Sequence, residues 1–191
     1  MAVRESEMIV PIINDLQKEF SLIVATQNWY PAHHQSFASH HPGKVAGDVI
    51  YLHGLPQTLW PDHCIQCGHG AEISKLLHQK NIAAIFRKGM NIATDSHSGF
   101  YDTAHSSCTG MAGYLKEKMA DEIYIAGLAG DYGVYYTAMD SLRLNFKTFV
   151  IEDATKPLNR HGFQEALDVF VAQGGQVVQS SQIINQVVAT A

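Results

Sequence analysis

The chain has 191 residues, a formal net charge of −5, 46% hydrophobic and 16% charged residues. That length suits one domain with a sizeable core, and the charged fraction falls below the usual value of about 25%. The acidic balance offers no footprint for nucleic acid or an anionic membrane, and no run nears the roughly 18 apolar residues of a membrane span. The opening residues MAVRESE are polar, so no signal peptide is expected and a cytoplasmic location follows. Cys64, Cys67 and Cys108 then read as reduced thiols.

In chain order, residues 8–20 carry apolar residues at helical spacing, with Pro11 tolerable in the first turn. LIVAT (22–26) reads as a buried strand. From Asn28 to Gly70 there is no convincing periodicity, and a loop that long inside a compact domain is usually functional. AEISKLLHQ (71–79) reads as helix and IAAIF (82–86) as strand, followed by a second polar loop from Lys88 to about Ser107. Then come a helix over 110–119, a strand over 122–128, a turn opening a helix over 134–144, a strand over 147–153, a helix over 162–173 and a strand over 176–180. SQIINQVVA reads as a terminal helix. Alternating strands and helices imply a three-layer α/β/α fold around a mostly parallel sheet, with any site at the carboxyl ends of the strands.

The loops at those ends carry QNWYPAHHQSF (27–37), GLPQTLWPDHC (54–64), FRKG (86–89) and GLAGDYGV (127–134). Together and in this order they resemble the nicotinamidase/pyrazinamidase branch of the isochorismatase-like cysteine hydrolases, over nearly the whole chain. The resemblance implies amide hydrolysis by a cysteine, an aspartate and a lysine. It also implies a zinc or iron ion that binds the pyridine nitrogen of nicotinamide.

Carried over residue by residue, the match is incomplete. The nucleophile position falls on Gly133, and glycine has no atom to attack with. Lys88 matches the family lysine. The metal-binding Asp and His positions hold Asn28 and Tyr30, while His63 matches the third ligand and His34 a histidine near the metal. Two histidines bind weakly, so no cofactor is expected unless a remnant zinc or iron site persists. Trp60 and Tyr132 are expected to wall a pocket, and the backbone N–H groups of Ala129 and Gly133 correspond to the oxyanion hole. A cis peptide is implied before Ala129.

The family base lies on a first, central strand, and this sequence is expected to start beyond it, because AVRESE already matches the loop that follows. Residues 22–26 and 122–128 should then flank a gap, closed by direct pairing, by the C-terminal tail or by a second subunit. The expected function is a nicotinamidase-like homologue without hydrolysis, forming a homo-oligomer and binding a small pyridine carboxamide or carboxylate. The alternative is a residual or altered amidohydrolase.

Two other readings compete. His63, Cys64, Cys67 and His69 form an H-C-x-x-C-x-H run of zinc-ligand types, although adjacent His63 and Cys64 rarely face one ion. Gly127, Gly130 and Gly133, with Glu152 or Asp153 further on, superficially resemble a dinucleotide fingerprint, but with the wrong spacing.

Overall fold

The computed structural model describes residues 2–188. Helix α1 (Ile9–Leu16) continues through a 3-10 turn and leads to strand β1 (Val24–Asn28). A hairpin of β2 (Val49–Leu52) and β3 (Leu55–Thr58) precedes β4 (Ala84–Lys88). Next come α2 (Met111–Glu117), β5 (Glu122–Leu128), a π-helical turn (Gly130–Val134) and α3 (Tyr135–Arg143). Strand β6 (Lys147–Lys156), α4 (Arg160–Ala172), β7 (Gln176–Val178) and α5 (Ser180–Val188) follow.

The strands alternate their side chains between two helical layers, as period-two geometry requires. On one face Ile125, Val150 and Val177 pack with Val134, Ala138, Phe163, Leu167 and Phe170 of the α3–α4 side. On the other, Tyr124, Ala126, Ile151 and Val178 meet Leu16, Ile12 and Ile13 of α1 and Ile183 and Ile184 of α5. The arrangement is the expected α/β/α sandwich with parallel pairing. The hairpin alone pairs antiparallel. Its turn residues His53 (φ 50°) and Gly54 (φ 83°) both adopt positive φ, the geometry of a type I′ hairpin.

The parallel sheet is split. β1 pairs with β4, and β5 with β6 and then β7, but no rung joins β1 to β5 among the described residues. Between them lies a cavity of about 510 Å³, lined by both strands, by Ile13 and Leu16 of α1, by Gln17 of the 3-10 turn after it, and by Met111 and Leu115 of α2. The expected closure within the chain is not found: neither direct pairing nor the C-terminal segment fills the slot among those residues. The physical reason is packing. A cluster of Phe100, Met111, Leu115 and Phe146, with Val24, Phe86 and Ile123 against it, fastens the two half-sheets to α2 and the loop residues beside it. They are held apart rather than collapsed together.

One expected helix is not formed. Residues 71–79 are a 3-10 turn and irregular turns. Asn14 of α1 donates to the Leu76 carbonyl (2.9 Å) and accepts from the His78 N–H (2.8 Å), capturing backbone groups a helix would need. Ser74 Oγ takes the Leu76 N–H in the same way. Replacing Asn14 by Ala should cost about 1–2 kcal/mol, the usual range for lost side-chain-to-backbone bonds. Hydrogen exchange should show the His78 amide losing protection; unchanged exchange there would refute the clamp.

Candidate active site

At the carboxyl ends of β1 and β4 the two strands finish on the same rung, Asn28 opposite Lys88. The Trp29 N–H donates to the Lys88 carbonyl (2.8 Å), so the loop leaves β1 held against β4. Tyr30 is then stitched to Cys64 (2.9 to 3.0 Å bonds to Cys64 and Gln66), and Trp60 to Ser36 and Ala38 (2.8 and 2.9 Å). Short bridges between loops thus place Tyr30, His34, Trp60 and His63 over the end of the sheet.

The organising group is Asp95, a residue not singled out in the sequence. Its side chain is buried, with 2% of the residue exposed. Oδ1 accepts from the Tyr30 hydroxyl (2.9 Å) and the Ser96 N–H (2.7 Å). Oδ2 accepts from Gln57 Nε2 (3.0 Å) and Trp60 Nε1 (3.1 Å), with His97 Nε2 at 3.8 Å. Burial alone would raise its pKa, but nearby His97 and the donors from Gln57, Ser96 and Tyr30 outweigh it and hold the carboxyl at about 2. It is a carboxylate throughout the ordinary pH range.

Lys88 is also buried and donates from Nζ to the Ser96 carbonyl (3.0 Å). Burial lowers its pKa to about 8, against the opposing pull of Asp95 and Cys64. His97 stands between the rings of Trp60 (6.2 Å), Tyr132 (5.5 Å) and Tyr136 (5.2 Å), and burial lowers its pKa too. Trp60 meets Tyr132 edge to face at 5.0 Å. The expected pocket wall of Trp60 and Tyr132 is therefore brought together, with His97 and Tyr136 added to it. The only hint of Asp95 and His97 in the sequence was their place in the polar loop after β4.

Gly133 lies in the π-helical turn after β5, and the Leu128–Ala129 peptide is cis. A β-carbon at Gly133 would stand 3.1 Å from the Leu128 carbonyl oxygen and 3.8 Å from that of His97. The turn is anchored by Asp131, which accepts from the Leu158 and Asn159 N–H groups at 2.9 Å each. Thr137 Oγ1 donates to the Gly133 carbonyl (2.6 Å).

The residues at the implied metal position do not fit an ion. Burial and Asp95 push the Tyr30 phenol well above its ordinary pKa, so it stays neutral and its hydroxyl is committed to Asp95. Its ring fills the space between His34 (4.7 Å) and His63 (5.0 Å). The Ser36 N–H donates to His34 Nδ1 (3.2 Å), which places the proton on Nε2, facing the Thr94 carbonyl (3.4 Å). His34 thus has no free lone pair. His63 keeps one, since its Nδ1 donates to the Pro61 carbonyl (2.8 Å). Among the described residues, no three His, Cys, Asp or Glu side chains are grouped to hold a metal. This includes the H-C-x-x-C-x-H run, where Cys67 is exposed and His69 bonds to Glu72. The dinucleotide reading also fails: Gly130 is packed on Phe163 and Thr155 (2.9–3.0 Å to a β-carbon), and Asp153 is engaged by Ser180.

An isochorismatase domain model matches residues 3–182. A nicotinamidase of Acinetobacter baylyi is 40% identical over 185 residues, covering 96% of this chain and 86% of that protein. The structure of an Acinetobacter baumannii nicotinamidase/pyrazinamidase superposes with a TM-score of 0.92 at 40% identity, over 95% of this chain and 88% of that one. The yeast nicotinamidase bound to the inhibitor nicotinaldehyde gives 0.88 at 28% identity, covering 93% and 90%. A Pyrococcus horikoshii pyrazinamidase in complex with zinc gives 0.75 at 29%, covering 93% and 88%.

The pKa of Lys88 makes a testable statement about stability. A buried lysine lowered to about 8 releases its proton earlier than in the unfolded chain, where it titrates near 10.5. Between those values the unfolded state binds more protons, so this group makes stability rise with pH. The gain levels off at roughly 3.5 kcal/mol above both values, on the order of 1.4 kcal/mol per pH unit. Lys88→Met should flatten that rise in urea unfolding measured from pH 7.5 to 10. An equal slope in both proteins would show that Lys88 is not titrating in a dry site.

Proposed function

Since the chain belongs to the isochorismatase family and is similar to nicotinamidases, we propose that it binds a small pyridine carboxamide or carboxylate without hydrolysing it. It then acts as a binding, regulatory or scaffolding homologue, alone or with a second copy of itself. The single observation that carries this reading is Gly133. In the turn that the resemblance marks as the nucleophile's place, the backbone ends in a hydrogen, not a thiol. Acyl transfer through the enzyme requires an attacking atom, and losing one member of such a unit costs roughly 10⁴–10⁶ in rate.

The surroundings support the same reading. Lys88 is spent on the Ser96 carbonyl and on the field of Asp95. Tyr30 takes up the room and the hydrogen bond that an ion-binding histidine would otherwise compete for. What remains suits a flat ring: Trp60, Tyr132 and His97 offer aromatic edges, and the turn at Ala129–Gly133 offers backbone N–H groups to a carbonyl. The yeast relative's nicotinaldehyde is a ligand of that shape. Three free thiols fit a cytoplasmic site of action.

The test is ammonia release from nicotinamide by the purified chain, with and without zinc or iron. Turnover is expected below about 10⁻³ s⁻¹, and a value near 1 s⁻¹ or above would overturn the proposal. Thermal shift with millimolar nicotinamide and nicotinate should raise the Tm; no shift would remove the binding half of the reading. Gly133→Cys should fold, because the nearest obstacle is a single carbonyl oxygen at 3.1 Å, yet leave hydrolysis undetectable. Recovery of turnover by that one change would show that the base and metal are not needed here. Zinc titration followed by elemental analysis should leave less than one ion per chain after gel filtration.

A further inference from the structure

His97 stands in the site without a task inside the protein. The segment that carries it, after β4, is fixed on both sides. Ser96 donates its N–H to Asp95 (2.7 Å) and its hydroxyl to the Tyr101 carbonyl (3.1 Å). Gly99 donates its N–H to Thr137 Oγ1 (2.9 Å), the same hydroxyl that donates to the Gly133 carbonyl. These bonds place His97 beside the turn at Ala129–Gly133. Its own carbonyl oxygen lies 3.8 Å from where a β-carbon at Gly133 would stand.

The ring is less committed than the backbone that holds it. Asp95 Oδ2 lies 3.8 Å from Nε2, beyond hydrogen-bond length, because Gln57 and Trp60 already occupy that oxygen. Among the described residues neither ring nitrogen has a hydrogen-bond partner, yet neither is sealed from solvent. The side chain keeps 18% of its surface exposed, while its neighbours Ser96 and Ser98 are buried. An imidazole held in place with open nitrogens beside N–H donors is built to meet a ligand.

The charges around His97 say which ligand it suits. Asp95 and Lys88 face it from the β4 side, His63 from the loop after β3, Tyr132 from the turn and Tyr136 from α3. Burial raises the pKa of both phenols, so they stay neutral. Asp95 is an anion and Lys88 a cation below about pH 8, so the two cancel. A neutral carboxamide leaves that balance intact. A carboxylate adds one negative charge to a poorly hydrated place, which is costly unless a positive charge joins it. An imidazole supplies that charge near neutrality by taking up a proton. Burial outweighs the pull of Asp95 and lowers the His97 pKa, so at pH 7 the ring is neutral until an anion arrives. Resting on the reading of the site as a binder of small pyridine carboxamides or carboxylates, we propose that His97 is its specificity-determining residue. It takes up a proton as the acid binds and donates a hydrogen bond to the ligand's carboxylate, a step the amide does not require. The acid is then held more tightly as pH falls, and the amide alike across the range.

Titration calorimetry with nicotinate and with nicotinamide, each in two buffers of different ionisation enthalpy, reads the proton directly. Between about pH 6 and 7.5 nicotinate should bring up to one proton per molecule bound, and its affinity should fall with rising pH toward a limit of about tenfold per unit. Nicotinamide should bring none and keep its affinity within about twofold over that range. His97→Gln keeps a donor but cannot titrate. It should abolish the uptake, flatten the nicotinate profile and weaken nicotinate about tenfold at pH 6, moving nicotinamide less than about threefold. His97→Asn serves the same purpose if that variant does not fold, and the unsubstituted protein alone gives the uptake and the slope. Nicotinate binding without proton uptake overturns the proposal and leaves the earlier reading standing. Uptake that persists undiminished without His97 does the same. If neither ligand binds, the reading and the proposal fall together.

Discussion

A carboxylate taken out of water must be given hydrogen bonds, and Asp95 dictates which loops meet at the site because of that requirement. Moving such an ion into the interior costs several kcal/mol unless its lone pairs are filled. The donors come from four separate places: Tyr30 after β1, Gln57 in the hairpin, Trp60 beyond it, and the backbone of Ser96. Bonds to a charged acceptor are each worth about 1.5–3 kcal/mol, more than ordinary ones. The long segment between β1 and β4, whose regular strands are the β2–β3 hairpin, is therefore tied down by one anion that comes from the loop after β4.

The same anion explains why neighbouring groups have the properties they do. Its field restrains the fall of the Lys88 pKa, which would go lower on burial alone. It keeps the Tyr30 hydroxyl as a donor, and a hydroxyl that donates to a carboxylate is a poor ligand for a cation. With His34 facing its own backbone acceptor at Thr94, the charge of Asp95 is balanced by protein donors and needs no ion nearby.

Much of the architecture was legible in the sequence because apolar period and turn chemistry agree there. Strand β5 was read with its observed bounds, and α2, α3, α4 and β6 within a few residues, since EIYIAGL and GFQEALDVFVAQ carry unambiguous patterns. Residues 71–79 misled because helical spacing is only a local preference, and Asn14, more than sixty residues away, competes for the backbone. The hairpin escaped notice because its outward residues, Val49 and Tyr51, are apolar and exposed, which erases the alternation that marks a half-buried strand. At the site, Gly133, Lys88 and Trp60 stood in recognisable runs, whereas Asp95 is one acidic residue in a polar loop. Its role exists only through donors distant in sequence.

The split sheet bears on how the two sides of the site are joined. Lys88 and Asp95 belong to the β1–β4 half, while Ala129, Tyr132 and Gly133 follow β5 in the other half. No ladder hydrogen bonds fix one half against the other among the described residues; helix packing, the rings of Trp60 and His97 against Tyr132, and the Gly99 N–H donated to Thr137 Oγ1 (2.9 Å) do so instead. Catalytic and binding constellations alike need their groups held within about 0.5 Å of the working geometry, so the two sides of this site depend on those side-chain contacts rather than on a shared ladder.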